Sequence, residues 1–560
     1  MKGKPELLCP VGGWDSLNAA ILGGADAVYF GSQRFNARMN AKNFTTESIG
    51  DAVRICHEKG VRTYVTLNTL LTDRKMEEAL CLAEELYRIG ADALIVADLG
   101  LASLIHDSFP DFELHASTQM SGHGLGAAHL AASVGFSRMV CAREVDRENL
   151  RYLCKNSPIE IEMFVHGAIC ACHSGQCLMS SMIGDRSGNR GECAQPCRLP
   201  YNGSYPLSFK DLSLAAHVTE ILDLGISSLK IEGRMKSPDY VYTTARIWRR
   251  LLDEERNATA EEMCRLAESF SRSGFTDGYF TRRISGGMLG IRTERNKSES
   301  RALHTSFRDS GRRAPSILIR REEKKAKPYL LPPKEKVPYG FTARFLSPDQ
   351  IPHTDLFRIR YLPLSVFDGK KANGVILPSV IFDSEWDGVR NKLEEAVREG
   401  AEHVLVANPG HFPLLSGIPL HIHGDFRLNL TNSAAVSALP EMEDFIAPPE
   451  LNLAQLRDLR GKKSVIVYGR IPLMLLEKRV GYTALRDRRG VVFPIASEGK
   501  RDLVLNSVPF YMLDRDKDLK EKGLASRHLI FTTERAEEVL LILEAIKEKR
   551  MPNTPIKRIR

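Results

Sequence analysis

Cysteine spacing is the strongest chemical signal in this sequence. All eleven cysteines lie before residue 265, and five of them fall between Cys170 and Cys197. In a reducing compartment such clustering indicates a metal site or a catalytic site rather than disulfides. Four of the thiols follow the pattern Cys170-x6-Cys177-x15-Cys193-x3-Cys197. Cys172 is left out of this set because its alternation with Cys170 points it the other way.

Three interpretations of these thiols remain open on spacing alone. Structural zinc sites usually bring their ligands in tight C-x2–4-C pairs, and only Cys193 and Cys197 fit such a pair. Four thiolates in a glycine-rich loop can instead hold an iron–sulfur cluster. Unligated thiols are the third alternative. The wide first pair favours iron–sulfur over zinc.

The segments around the cysteines predict an N-terminal (β/α)8 barrel of the TIM type. Short β-branched runs alternate with segments whose apolar residues have helical spacing. Eight such strands within about 235 residues are typical of this fold. The competing layout is an open doubly wound sheet, and it is disfavoured because no glycine fingerprint follows the first strand. We predict the strands at 6–9, 27–30, 62–67, 93–97, 113–117, 139–142, 159–165 and 229–231.

The cysteines lie in a long insertion between the seventh and eighth predicted strands. In such barrels the loops that follow strands form the catalytic face, so we expect the cysteines and the barrel mouth to coincide. Polar residues just after other strands are further candidates. The catalytic candidates are Arg143, Glu144, His166, Glu232 and Arg234. The substrate-binding candidates are Arg34, Arg38, Asn43, His115 and Gln119.

Each group of candidates also has a structural alternative. Arg143 with Glu144, and Glu232 with Arg234, are equally compatible with ion pairs at the barrel rim. Histidines at strand positions are more often satisfied core residues, although the position of His166 next to the cysteines favours a functional role. The block at 30–45 has the Arg, Asn and Phe residues that bind unstacked RNA bases, and it is also compatible with a solvated loop.

The second half of the chain contains an internal repeat of the first. EELYRIGADALIVADLG at 84–100 aligns without gaps to EEAVREGAEHVLVANPG at 394–410, with eight identities in seventeen positions. LH at 114–115 then aligns with LH at 420–421, and VHG at 165–167 with VYG at 467–469. The repeat predicts a second, degenerate α/β barrel-like unit. It has no cysteines, so any cluster is confined to the first unit.

Charge is concentrated between the two predicted units. Residues 282–336 contain sixteen Lys and Arg against six Asp and Glu, a local charge of +10, whereas the whole chain carries +8. A basic segment between nearly neutral units suits a polyanion such as RNA, although a solvated linker is equally compatible. We therefore divide the chain into a barrel at 1–275, a basic linker or extension at 276–338 and the repeat unit at 339–560.

Composition excludes several classes of protein. With 43% hydrophobic and 26% charged residues, the chain is globular rather than disordered. No stretch reaches the ~18 apolar residues that indicate a membrane span, so we expect no membrane partner. The N-terminus has no signal-peptide pattern, and we expect a cytoplasmic protein.

Four sequence blocks resemble peptidase family U32, the collagenase-like family. Glu162-x-Phe164-x-x-Gly167-Ala-Ile-Cys170-x4-Gly-x-Cys177-x-Met-Ser matches the family signature. MIGDRSGNRGECAQPCRLPY, LKIEGRMKSPDYV and FGSQRFNARMNAKNFT are also similar to family blocks. The resemblance covers residues 1 to about 300 and is highly specific. The second, cysteine-free unit resembles the architecture of the ribosomal-RNA hydroxylase branch.

The resemblance implies a cofactor, a co-substrate and an RNA partner. The branch makes 5-hydroxycytidine in large-subunit rRNA, and a sister branch hydroxylates tRNA. The implied cofactor is a 4Fe–4S cluster on Cys170, Cys177, Cys193 and Cys197, and prephenate is the implied co-substrate. Arg143 and Arg234 would suit a dicarboxylate, because a guanidinium fork binds carboxylates in pairs. Glu144 or His166 would move protons.

The sequence therefore supports three hypotheses of function. The first is an iron–sulfur-dependent RNA base hydroxylase, with rRNA as the expected substrate and tRNA as the alternative. The second is a collagenase-like peptidase with Cys177 paired to His166 or His173, although the chain has no HExxH site and no G-x-S-x-G elbow. The third is a non-catalytic iron–sulfur scaffold or redox sensor. The oligomeric state is left open.

Overall fold

The computed structural model describes residues 4–39, 41–311, 314–335, 340–521, 526–552 and 555–558. The chain divides into two units. The first comprises Met1–Leu71, Lys75–Gly175 and Asp185–Tyr329, and the second comprises Thr72–Arg74, Gln176–Gly184 and Leu330–Arg560. We describe each unit by itself.

The first unit is built on a closed barrel of eight parallel strands. The strands of this unit are β1 (Glu6–Pro10), β2 (Ala27–Gly31), β3 (Arg62–Leu67), β4 (Ala93–Val96), β5 (Glu113–Ala116), β6 (Arg138–Val140), β7 (Glu160–Gly167), β8 (Asp211–Ser213), β9 (Ser228–Ile231) and β10 (Phe275–Thr276). The barrel itself consists of β1 to β7 and β9. Each of β1 to β7 pairs with the next, and β9 pairs with both β7 and β1, which closes the barrel. The predicted barrel is confirmed, with strand ends within two residues of those expected.

Helices on the outside connect the strands. They are α1 (Trp14–Gly23), α2 (Thr46–Glu58), α3 (Asp73–Ile89), α4 (Leu99–Ser108), α5 (Leu125–Val134), α6 (Arg147–Asn156), α8 (Val218–Leu224), α9 (Pro238–Asp253), α10 (Ala260–Ser269) and α11 (Glu294–Ala302), whereas α7 (Met179–Gly184) lies in the segment Gln176–Gly184 of the second unit. Because helices cover the outer face and side chains fill the inside, the strands read as continuous buried runs rather than alternating ones.

The long segment between β7 and β9 contains a short strand that pairs with the end of β7 outside the barrel. β8 pairs antiparallel with β7, with Ser213 opposite His166, and β10 pairs parallel with β8. The cysteines from Cys170 to Cys197 precede β8 in this segment. β8 and β10 lie outside the barrel itself, which explains why strand periodicity did not predict these pieces of two or three residues.

The second unit contains another closed barrel of eight parallel strands. The strands of this unit are β11 (Gly340–Arg344), β12 (Phe357–Pro363), β13 (Gly374–Ile376), β14 (His403–Val406), β15 (His421–Gly424), β16 (Asp444–Ile446), β17 (Lys463–Gly469), β18 (Pro472–Leu476), β19 (Ala484–Arg486), β20 (Val492–Glu498), β21 (Arg501–Leu505), β22 (Phe510–Tyr511), β23 (Ser526–Ile530) and β24 (Lys557–Arg558). The barrel runs from β11 to β17 and closes through β23, which pairs with β17 and β11.

Fewer helices accompany this barrel. They are α12 (Trp386–Arg398), α13 (Ser433–Ser437), α14 (Leu453–Asp458), α15 (Asp516–Glu521) and α16 (Ala536–Lys547). The antiparallel sheet β18-β21-β20-β19 occupies the long connection between the seventh and eighth barrel strands. The expected barrel-like unit is confirmed, and its ring of strands is complete although the sequence predicted a degenerate copy.

The two barrels share an irregularity at the same repeat position. The pairing of β7 with β9 shifts register between Phe164 and His166, and the pairing of β17 with β23 shifts between Ile466 and Tyr468. Both residue pairs are related by the 302-residue offset of the VHG and VYG motifs. A β-bulge changes the direction of a side chain and tends to be kept within a family of related structures. A shift at equivalent positions of the two barrels therefore supports their relation as internal repeats.

The basic segment follows the outer surface of the first barrel as far as Tyr329. The Arg321 guanidinium lies over the rings of Tyr87 and Phe112, 4.7 and 4.4 Å from their centroids. Lys324 pairs with Asp111 at 2.8 Å. Arg312 and Arg313 of this segment lie outside the described residues. Within the described ranges, no helix is both long and apolar enough to cross a bilayer.

Candidate active site

The loop after β9 places two charged residues at the barrel mouth. The Glu232 backbone N–H donates to the His166 carbonyl at 2.8 Å, which ties this loop to the end of β7. Ser237 caps α9 by accepting from the Tyr240 backbone, and Pro238 occupies the first helical position, where its missing N–H costs nothing. The turn between strand and helix is therefore fixed at both ends.

Glu232 is the centre of a cluster of guanidinium groups. Its Oε1 lies 3.3 Å from Arg38 Nη2, and its Oε2 lies 3.7 Å from Arg143 Nη2. The Arg143 guanidinium also lies over the Phe164 ring, 4.0 Å from the centroid. Burial alone would raise the pKa of Glu232, but Arg38, Arg143 and Arg234 lower it below its ordinary value. The carboxylate is therefore ionised.

Arg234 completes the cluster from the other side. It is 4% exposed and donates to Thr66 Oγ1 at 3.2 Å and to Asn36 Oδ1 at 3.3 Å. Burial and the nearby Arg38 lower the pKa of Arg234 to about 10. The three guanidinium groups carry two more positive charges than the single carboxylate neutralises at the barrel mouth. Such a site suits an anion with two negative groups.

The loop after β2 separates its candidate residues. Asn43 donates from Nδ2 to the carbonyls of Arg38, Met39 and Ala41, so it holds the loop together. Arg34 points to the outside and pairs with Glu78 of α3 at 2.5 Å. Of the three residues predicted here, only Arg38 contacts the central carboxylate of the cluster.

Two buried histidines belong to strands of the first barrel, His115 to β5 and His166 to β7. Nδ1 of His166 lies 3.3 Å from the Ser213 hydroxyl, and its Nε2 has no hydrogen-bond partner. Burial lowers the pKa of His166 to about 3, so the ring is neutral. Among the described residues, both ring nitrogens of His115 also lack hydrogen-bond partners, and burial lowers its pKa. Oε1 of Gln119, on the turn after β5, is a fourth buried atom of this kind in the same part of the chain.

Glu144 lies apart from the guanidinium cluster. It is 4% exposed and close to His123, which the sequence analysis did not single out, and to His173, which it named only as a possible partner of Cys177. The position of Glu144 directly after Arg143 gave no sign of this, because the backbone at the end of β6 sends the two side chains to different partners.

The cysteine side chains differ in exposure. Cys170 and Cys193 are exposed, whereas Cys177 and Cys197 are half-buried. The pKa of Arg38 is raised, first by Glu232 and further by Cys170 and Cys193. Burial and the nearby Arg272 lower the pKa of Arg198, and Cys197 and Cys170 oppose this shift. Three of the four thiols thus lie around two guanidinium groups in the first unit, while Cys177 belongs to the segment Gln176–Gly184 of the second.

A cationic cavity of about 920 Å³ lies beside the loop after β9. Lys236, Arg272 and Arg292 surround the Phe270 ring within 2.8, 5.2 and 4.4 Å of its centroid. Burial lowers the pKa of Lys236 to about 7. Burial and the adjacent Arg272 lower the pKa of Arg292 as well. Like charges held this close favour an anionic ligand, and sequence reasoning missed the site because its residues are scattered.

The barrel interior holds a buried ion pair that sequence reasoning also missed. Lys230 Nζ lies 2.7 Å from Glu162 Oε1, and both side chains are at most 5% exposed. Arg138 lies 3.4 Å from the other oxygen of Glu162. Charged residues within predicted barrel strands were the available signal, since such residues are almost never fully buried unless paired.

The sequence of the chain is similar to one family model and to several known proteins. The model of "Peptidase family U32" matches residues 12–288. The chain is 40% identical over 286 residues to the 23S rRNA 5-hydroxycytidine C2501 synthase of Escherichia coli (strain K12), covering 49% of this chain and 42% of that protein. It is 36% identical over 267 residues to tRNA hydroxylation protein P1 of Bacillus subtilis (strain 168), covering 45% and 63%.

A third relative is matched over most of its length. The chain is 34% identical over 310 residues to a protein named collagenase from Porphyromonas gingivalis (strain ATCC BAA-308 / W83), covering 49% of this chain and 73% of that protein. The first two relatives are matched over less than two thirds of their length, and all three matches involve about half of this chain. The chain belongs to peptidase family U32.

Proposed function

We propose that this chain is an RNA-modifying enzyme that hydroxylates a pyrimidine base. The product we propose is 5-hydroxycytidine in large-subunit rRNA. The names of two relatives, an rRNA 5-hydroxycytidine synthase and a tRNA hydroxylation protein, support hydroxylation of RNA. A repeat unit and a basic segment accompany the barrel, as expected for the rRNA branch.

The observation that carries this proposal is the guanidinium cluster around Glu232. Its two surplus positive charges at the barrel mouth suit a dicarboxylate, and we assign prephenate as the co-substrate. Arg38 and Arg143 would each bind a carboxylate by paired hydrogen bonds. Glu232 would orient both guanidinium groups before the anion arrives, so less freedom is lost on binding. Arg234 is held by Asn36 and Thr66 and would add charge at a fixed position.

The cofactor in this proposal is a 4Fe–4S cluster on Cys170, Cys177, Cys193 and Cys197. The residues fit the group, because four thiolate donors are the ligands that such clusters take and Arg38 and Arg198 would offset their negative charge. When bound, a cluster of this kind supplies one-electron transfer. His166 would hold or release a proton at Nε2, whose hydrogen-bond capacity is unused.

The RNA would bind at the cationic cavity. Lys236, Arg272 and Arg292 suit phosphate groups, and the Phe270 ring among them offers an aromatic surface. RNA recognition in single-stranded regions combines such contacts, because unstacked bases pack on rings while cations neutralise the backbone. The cavity lies next to the loop that carries Glu232, since Lys236 follows it by four residues.

The test is complementation with direct analysis of RNA. The chain is expressed in an Escherichia coli strain that lacks its 23S rRNA 5-hydroxycytidine C2501 synthase, and nucleosides from 23S rRNA and tRNA are analysed by mass spectrometry. We expect 5-hydroxycytidine in the rRNA with the wild-type chain and none with Glu232→Gln. Soluble, cluster-loaded protein that hydroxylates neither RNA would contradict the proposal.

A peptidase is the second candidate because one relative is named collagenase. The pairing of Cys177 with His166 has little support. Nδ1 of His166 lies at hydrogen-bond distance from Ser213 and its Nε2 bonds to no group in the described residues, so no hydrogen bond joins this imidazole to a cysteine. Cleavage of gelatin that is lost in Cys177→Ala at unchanged iron content would favour the peptidase.

A further inference from the structure

Three buried side chains converge after three consecutive strands of the first barrel. His123 follows β5 and precedes α5, Glu144 follows β6, and His173 follows β7. They are 2%, 4% and 1% exposed. None of them belongs to the four-cysteine set or to the guanidinium cluster around Glu232. Two imidazoles and a carboxylate are a donor set that binds zinc and non-haem iron in proteins.

The distances between the three donor atoms match those around a single metal ion. His123 Nε2 lies 3.2 Å from His173 Nδ1 and 3.7 Å from Glu144 Oε2, and His173 Nδ1 lies 3.9 Å from the same oxygen. A tetrahedral ion with bonds of ~2.0–2.1 Å places neighbouring ligand atoms ~3.3 Å apart. We propose that His123, Glu144 and His173 bind one divalent first-row transition-metal ion.

The surroundings orient His123 as a ligand. Its Nδ1 lies 2.7 Å from the Ser121 carbonyl, which can only accept, so Nδ1 carries the proton. The lone pair of Nε2 therefore points toward His173 and Glu144. Metal-binding histidines are usually held in this way, with the second ring nitrogen donating to a carbonyl or carboxylate.

Charge also favours a cation at this point. A buried carboxylate needs a compensating positive charge, and a divalent ion supplies it while using both imidazole lone pairs. The alternative is a proton shared between the two histidines and Glu144. Ser174 Oγ lies 3.5 Å from both oxygens of Glu144, so this hydroxyl is a more distant neighbour of the carboxylate than a close hydrogen-bond donor would be.

The ion would fasten three loops of the catalytic face to one another. Ser121 Oγ already donates to the Ser174 carbonyl at 2.6 Å, so the loops after β5 and β7 are in contact. Gly175 has a φ of +78°, and a Cβ there would lie 2.1 Å from the Gln119 carbonyl oxygen. The loop that carries Cys170 is thus packed tightly against the turn that carries Gln119, and a buried ion would stabilise this arrangement.

The test measures zinc binding to the full chain. One equivalent of Zn²⁺ is added to chelator-treated protein with all four cysteines, Cys170, Cys177, Cys193 and Cys197, replaced by Ser, so that thiols do not compete. X-ray absorption at the zinc edge then reports the ligands. We expect one zinc per chain with nitrogen and oxygen ligands at about 2.0–2.1 Å. No bound zinc in folded protein would overturn the proposal.

Matched variants locate the ion. In the same background, Glu144→Gln and His123→Asn should each weaken zinc binding by about 100-fold or more, since they remove a ligand rather than a supporting contact. His57→Asn is the control, because His57 Nε2 bonds to Asp92 at 2.8 Å elsewhere in the same barrel. It should keep one equivalent of zinc. Unchanged affinity in Glu144→Gln, with the fold intact by circular dichroism, would show that the three residues share only a proton.

This test is independent of RNA hydroxylation. A chain that binds zinc as expected but hydroxylates no RNA would leave the metal site standing and remove the proposed function. A chain that hydroxylates RNA without binding an ion here would do the reverse.

Discussion

The carboxylate of Glu232 and the guanidinium of Arg38 lie 3.3 Å apart although 194 residues separate them in the chain. Arg38 follows β2 and Glu232 follows β9, and both strands flank β1. The contact therefore exists only because the last strand of the barrel closes onto the first. Arg143 reaches the second oxygen of the same carboxylate at 3.7 Å. This arrangement is the basis for the proposed anion site at the barrel mouth.

Replacing Arg38 should weaken binding of the proposed co-substrate. Arg38→Met is expected to raise the dissociation constant of prephenate about 10- to 150-fold, since a hydrogen bond to a charged group contributes about 1.5–3 kcal/mol. Arg38→Lys should recover only part of the affinity, because it keeps the charge and loses the fork. Titration calorimetry measures both. Arg54→Ala, in an exposed ion pair of α2, is the control and should bind normally.

The cationic cavity should determine how RNA affinity depends on salt. Each neutralised phosphate of a single strand contributes about 0.7 to the slope of log K against log salt. Lys236→Gln combined with Arg292→Gln should therefore reduce the slope by about 1.4. Fluorescence anisotropy with a single-stranded RNA gives the slope. Arg256→Gln, a residue paired with Glu262, should leave it unchanged, and an unchanged slope in the double variant would exclude the cavity.

RNA affinity should also fall as the pH rises through 7. The pKa of Lys236 is lowered to about 7 by burial, so above that pH the free protein loses this charge. A bound phosphate raises the pKa again, and binding must then take up a proton. Lys236→Arg should remove this step, because a guanidinium remains charged over the whole range. If the RNA affinity of the wild type were as independent of pH as that of Lys236→Arg, the assignment of RNA binding to Lys236 would be contradicted.

The buried pair of Lys230 and Glu162 should be essential for stability of the first barrel. Lys230→Met leaves the Glu162 carboxylate, which is 0% exposed, without its closest cation, and such a loss costs about 3–5 kcal/mol. Hydrogen exchange of β7 and β9, followed by mass spectrometry, should show the loss locally. Lys75→Ala breaks an exposed pair with Glu78 and should cost at most about 1 kcal/mol.

His166 should make the first barrel sensitive to acid. The folded protein keeps this ring neutral down to about pH 3, whereas the unfolded chain protonates it near 6.5. The unfolded state then binds more protons, so stability falls as the pH drops from about 6.5 toward 3, by up to about 1.4 kcal/mol per unit from this group. His166→Asn should flatten the dependence in urea unfolding. An identical pH profile for both proteins would exclude this role.

The sequence by itself determined the eight strands of the first barrel and the repeat that forms the second. Buried parallel strands are short apolar runs, and helices between them have a different period, so local pattern is enough to identify both. The motif at 162–180 likewise determined the family. The spacing of the cysteines indicated metal chemistry, and the 4Fe–4S cluster on them stays a prediction.

Only the tertiary structure decided which polar residues meet. Arg34 and Arg38 are four residues apart in one loop, yet Arg34 pairs with Glu78 on the outside and Arg38 with Glu232 at the mouth. A loop has no period from which side-chain direction can be read, and here the bonds of Asn43 set it. His123, Glu144 and His173 come together for a different reason, since β5, β6 and β7 pair side by side in parallel and the loops that follow them lie at the same end of the barrel.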